Sequence, residues 1–84
     1  MKLKFELYTR IGCHLCEEME QQIAILEPKL NFKSDIIAIN DDQQLEERYG
    51  EKVPVLAYGN VSICEYVLDE EAVSKAIKRY SWKT

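Results

Sequence analysis

An 84-residue chain that is 46% hydrophobic and 31% charged has room for one globular domain and not two, and its apolar content excludes intrinsic disorder. A formal net charge of -4, with no lysine or arginine stripe interleaved with aromatics, repels phosphate backbones and argues against a nucleic-acid partner. No apolar run approaches the roughly 20 residues that a membrane span requires, and three cysteines, an odd number, do not close into the disulfide framework of a small secreted domain.

Along the amino-terminal stretch, Leu3, Phe5 and Leu7 alternate with Lys2, Lys4 and Glu6, the period-two pattern of a strand over about residues 2 to 8. The same alternation lacks the continuous apolar stretch of a secretion signal, so a cytoplasmic protein is expected. From Gly12 the period lengthens. Cys16, Met19, Ile23, Leu26 and Leu30 recur at helical spacing, which predicts a helix over about residues 13 to 27 or on to 30, with regular helix fraying or kinking at Pro28. Ile36-Ile37-Ala38-Ile39 is short, β-branched and apolar on both faces, as expected of a strand covered on both sides. Asp41, with Gln44 three residues on, is placed like a capping box and Gly50 offers a left-handed stop, predicting a short helix over about residues 42 to 49.

Val55 to Tyr58 and Val61 to Tyr66 flank Gly59-Asn60 and predict an antiparallel hairpin. A last helix is announced by Asp69 as cap, Leu68 and Val73 as a hydrophobic staple, acids at Glu70 and Glu71, and bases at Lys75, Lys78 and Arg79. Ala72, Val73, Ala76, Ile77 and Tyr80 form its inner face. The order is β-α-β-α-β-β-α, an α/β fold in one domain over residues 1–84. Its first two strands must run parallel, and the hairpin extends the same sheet.

Cys13-His14-Leu15-Cys16 stands where the first strand gives way to the first helix. A thiolate at Cys13 would accept hydrogen bonds from free first-turn amides and sit at the positive end of the helix dipole. Cys16, one turn inside, is placed to attack a mixed disulfide formed on Cys13, leaving a redox-active Cys13–Cys16 disulfide and moving two electrons per cycle. Glu17, Glu18 and Glu20 oppose that thiolate, with solvent screening the effect. His14 is expected at the surface, since neighbours in sequence do not face each other on a helix, and Cys64 in the core as a small apolar residue. The aromatics Phe5, Phe32, Tyr49, Tyr58, Tyr66 and Trp82 are dispersed and read as packing.

On Leu7-Tyr8-Thr9-Arg10-Ile11-Gly12-Cys13-His14-Leu15-Cys16-Glu17 and on Lys52-Val53-Pro54-Val55-Leu56 the chain resembles the glutaredoxin family of the thioredoxin-like superfamily, in particular the small bacterial glutaredoxin-like branch with Cys-His-Leu-Cys. The resemblance spans nearly the whole chain. It implies a thioredoxin-like fold, one mixed four-stranded sheet flanked by helices, and a thiol–disulfide oxidoreductase acting on protein or glutathione-mixed disulfides. It implies Cys13 and Cys16 as catalytic residues, a cis Val53-Pro54 bond facing them with Val53 pairing to an extended substrate, and Arg10 as the basic residue that neutralises the thiolate and holds a glutathione carboxylate. One departure stands out: typical glutaredoxins carry a Gly-Gly pair before the last helix, whereas this chain reads Cys64-Glu65-Tyr66-Val67-Leu68-Asp69. Side chains there hinder close backbone approach, so glutathione is expected as a weak co-substrate and no cofactor as tightly bound. The expected partners are a disulfide-bearing protein or small molecule and a thiol reductant, with the protein a monomer off the membrane and no resident metal.

Two other chemistries remain open. One is a thiolate metal site drawing on Cys13, Cys16, His14 and Cys64, a donor set that suits tetrahedral zinc but lacks a second Cys-x-x-Cys. The other is a non-catalytic interaction module that responds to redox state. Haem attachment is excluded, because Glu17 rather than histidine follows Cys16.

Overall fold

The computed structural model describes residues 3–81, so Met1, the expected strand residue Lys2 and the aromatic Trp82 lie outside the described residues. The chain forms β1 (Leu3–Thr9), α1 (His14–Leu30), β2 (Phe32–Ala38), α2 (Gln43–Tyr49), β3 (Val55–Tyr58), β4 (Val61–Glu65) and α3 (Glu70–Tyr80). The four strands make one sheet in the order β2-β1-β3-β4. β1 and β2 run parallel, from Leu3 opposite Phe32 to Thr9 opposite Ala38. β3 lies antiparallel to β1, with Tyr8 opposite Val55, and β4 antiparallel to β3. This is the mixed thioredoxin-like sheet, in the element order that the sequence predicts.

Strand alternation divides the core between the two faces of the sheet. Leu3, Phe5 and Leu7 of β1 pack with Met19, Ile23 and Leu26 of α1, with Val73 and Ala76 of α3, and with Phe32, Leu56 and Cys64. On the other face Ile39, Tyr49, Val55 and Ala57 cluster, supported by Tyr8, Leu45 and Val53. Tyr8 and Tyr49 stack there with centroids 4.2 Å apart. Between the two clusters runs β3, whose Val55, Leu56 and Ala57 are all fully buried.

The doubly covered strand is therefore β3, and the expectation that Ile36 to Ile39 forms one is corrected. β2 is an edge strand, Ile36 is 56% exposed, and of that run only Ile39, just past the strand, is buried. The cause is one of reach: α2 is seven residues long, about 10 Å of helix, and its Tyr49 and Leu45 cover the centre of the sheet rather than its β2 edge.

Three smaller expectations also change. α1 stays regular through Pro28, in place of the expected fray or kink, reaches the longer of its two expected ends at Leu30, and stops on Asn31 in the left-handed region (φ 58°), whose N–H donates to the Glu27 carbonyl. Proline so near the helix end forfeits only its own amide bond while the apolar seam goes on. The cap of α2 is Asp42, which accepts from the Leu45 N–H at 3.1 Å, rather than Asp41. Gly50 is right-handed (φ -50°), so its role is space: a Cβ there would press on the Glu46 carbonyl and come within 3.4 Å of the Arg10 guanidinium. α3 follows expectation, with Asp69 accepting from the Ala72 N–H at 3.1 Å.

Candidate functional site

The turn between β1 and α1 is built so that a cysteine caps the helix. Gly12 takes a positive φ of 81°, a conformation that costs glycine little, and the Cys13 N–H donates back to the Arg10 carbonyl at 3.2 Å. The Ile11 N–H donates to Asn40 Oδ1 at 2.8 Å, which ties this loop to the chain leaving β2. Cys13 is extended (φ -96°, ψ 116°), and its Sγ accepts the Cys16 N–H at 3.1 Å. A sulfur thus takes the place that a serine or aspartate oxygen normally holds at a helix start.

The two thiols are unequal. Cys13 is half-buried, while Cys16 is 1% exposed and packs beneath it. Burial, and next the hydrogen bond to the Cys13 side chain, push the Cys16 thiol from 9.0 up to about 11, against the opposing effect of the Arg10 N–H, which donates to Cys16 Sγ at 3.4 Å. Cys16 therefore waits as a neutral thiol, and Cys13 is the sulfur that solvent reaches.

Arg10 does more than the sequence suggests. Its guanidinium forks onto Glu46, Nη1 to Oε2 at 3.0 Å and Nη2 to Oε1 at 2.5 Å, and Nη2 also donates to the Gly50 carbonyl at 3.0 Å. These bonds raise its proton affinity first of all through Glu46, with smaller contributions from the nearby Cys13 and Cys16. Glu46 escapes sequence reasoning because it lies 36 residues from Arg10 within the charged run Glu46-Glu47-Arg48; only the fold brings the pair together.

The Val53–Pro54 peptide bond is cis. Carrying the β1–β3 register one step past Tyr8 opposite Val55 sets Pro54 beside Thr9, at the end of the sheet from which the cysteine turn departs. Pro54 is fully buried, and its carbonyl accepts the Tyr66 N–H at 2.9 Å. The Val53 N–H is used internally, donating to the Tyr49 carbonyl at 3.1 Å. Tyr66, in the left-handed region (φ 68°), reaches back to donate its hydroxyl to the Glu51 carbonyl at 2.7 Å, so the segment that replaces a glycine pair straps the proline loop.

The other two candidates make different contacts. His14 is 83% exposed and meets Glu18 at 3.2 Å. Cys64 is buried opposite Leu56 in the sheet, and burial pushes its thiol up while the Asp69 backbone partly offsets this. Among the described residues, no group of three or more His, Cys, Asp and Glu side chains is arranged to hold a metal ion, and no helix is long and apolar enough to cross a membrane.

The family model for the glutaredoxin-like domain (DUF836) matches residues 4–78. A Nitrosomonas europaea protein solved by solution NMR is 33% identical, with 90% of this chain and 92% of that one covered at a TM-score of 0.79. An X. campestris protein solved by X-ray methods is 28% identical, covering 89% and 96%, at a TM-score of 0.61. Thioredoxin 1 from Thermosipho africanus, 16% identical with 96% and 97% covered and a TM-score of 0.62, is similar in fold. No curated protein matches the chain.

Proposed function

Because this chain belongs to the glutaredoxin-like domain family, we propose that it is a thiol–disulfide oxidoreductase that reduces disulfides with the Cys13–Cys16 pair. The observation that carries the reading is the inequality of the two sulfurs: Cys13 caps α1 from a solvent-facing position, and Cys16 is buried and held neutral directly behind it.

In the first step the Cys13 thiolate attacks one sulfur of a substrate disulfide, forming a mixed disulfide and releasing the other substrate sulfur as a thiolate that takes up a proton. The Cys16 N–H that bonds Cys13 Sγ supports the anion before attack. In the second step Cys16 gives up its proton and attacks Cys13 Sγ; the remaining substrate thiol leaves, and the pair ends as an intramolecular disulfide, two electrons poorer. An external thiol reductant returns those electrons. Val53 and Pro54 form the docking edge for an extended substrate, which pairs with the Val53 carbonyl, since the N–H of that residue is already bonded. Arg10 holds the cysteine turn through its backbone, its carbonyl accepting the Cys13 N–H and its N–H donating to Cys16 Sγ.

The same reading takes disulfide-bearing proteins or small molecules as substrates, glutathione as a weak co-substrate at most, and a monomer acting in cytoplasmic redox homeostasis. It is tested with a neutral model disulfide and a dithiol reductant. Cys13→Ser abolishes turnover, and Cys16→Ser, given the disulfide with the reductant left out, accumulates a mixed disulfide on Cys13 that mass spectrometry detects as an added mass. Both variants turning over like the wild type would sink the dithiol mechanism.

A further inference from the structure

Any anion that approaches Cys13 meets the field of Arg10, which is close enough to both cysteines for their charge to act on it. That field is nearly cancelled. Glu46 takes two guanidinium nitrogens in a bidentate fork, the most favourable geometry this group makes with a carboxylate. The bare Gly50 backbone permits the close approach and adds a third acceptor. A carboxylate-bearing substrate would have to displace a carboxylate already in place, an exchange of like for like.

Resting on the oxidoreductase reading of this same site, we propose that Glu46 is a specificity-determining residue: by neutralising Arg10 it turns the Cys13 site away from anionic thiols and disulfides and toward uncharged ones. The surroundings agree with that preference. Ile11 and Leu15, on either side of Cys13 in sequence, are 75% and 44% exposed, and Glu17 and Glu18 add exposed negative charge to the first turns of α1.

The test reads charge preference at Cys13 without any disulfide turnover. Rates of Cys13 alkylation by iodoacetate, an anion, and by iodoacetamide, its neutral analogue, are measured by peptide mass spectrometry, and their ratio is compared among variants. Glu46→Gln should raise the iodoacetate-to-iodoacetamide ratio about threefold to tenfold at low ionic strength, as expected for one uncovered unit charge that is about a third exposed and partly screened by water. The rise should vanish at about 1 M salt, where the screening length shrinks to about 3 Å. The double variant Arg10→Gln with Glu46→Gln should return the ratio to the wild-type value. An unchanged ratio in Glu46→Gln, or a rise that persists in the double variant, would overturn the proposal; Glu46→Ala supplies the same reading should the glutamine variant fold poorly. A wild type inert toward disulfides would defeat the oxidoreductase reading, while the alkylation ratio would still decide the role of Glu46.

Discussion

Cys16 combines two demands, a buried position in the first turn of α1 and a thiol that must eventually lose its proton. Its folded-state value of about 11, against 9.0 unperturbed, means that the folded chain keeps this proton when the unfolded chain has already released it. Between those values the unfolded state binds fewer protons, so stability falls as pH rises from about 9 to about 11. Tyr8 and Cys64, both raised chiefly by burial, slope the same way. Urea denaturation at stepped alkaline pH should show the midpoint dropping across this window, and Cys16→Ala should flatten part of the drop. An equal slope in the variant would mean that Cys16 is not one of the groups responsible.

Elements differ in how much of their environment they carry in their own sequence. The alternation in β1 and the cap, staple and charge order of α3 are local patterns, and the structure follows both. The cysteine turn was legible because it rests on a short contiguous motif, whereas the cis Val53–Pro54 bond followed from the family resemblance, since an X-Pro motif by itself allows both isomers. The coverage of β2 and β3 was not: Ile36 to Ile39 looks more deeply buried than Val55 to Tyr58, yet burial depends on which strand the later helices cross. Glu46 was hidden for the same reason, since its partner comes from another element. The reversal has a measurable form. Leu56→Ala in β3 should cost about 2–5 kcal/mol, whereas Ile36→Thr on β2 should stay within about 0.5 kcal/mol. Chemical denaturation of the two variants gives both numbers, and comparable losses would restore β2 as a covered strand.

At the scale of the molecule, the two core clusters share β3, which lends Leu56 to one and Val55 and Ala57 to the other. Neither cluster can come apart while the other keeps that strand in place, so the domain should unfold in one transition. Far-ultraviolet circular dichroism, reading the backbone, and near-ultraviolet signals, reading aromatic packing that includes the stacked pairs Tyr8–Tyr49 on one face and Tyr58–Tyr80 on the other, should give coincident melting curves. Separate midpoints would show that side-chain packing and backbone structure are not lost in one transition. The exposed flank of the sheet has a different consequence, for shelf life rather than folding. β2 ends the sheet, paired on one side only among the described strands and carrying an exposed isoleucine, the form of surface onto which a second chain can add itself as a further strand. Lys33 and Asp35 are its exposed charges, and Asp35 is held at 3.0 Å by Lys4 of the neighbouring strand. These residues guard against fibrous self-association, and concentrated stocks of a variant that replaced them with apolar residues would be the first to cloud.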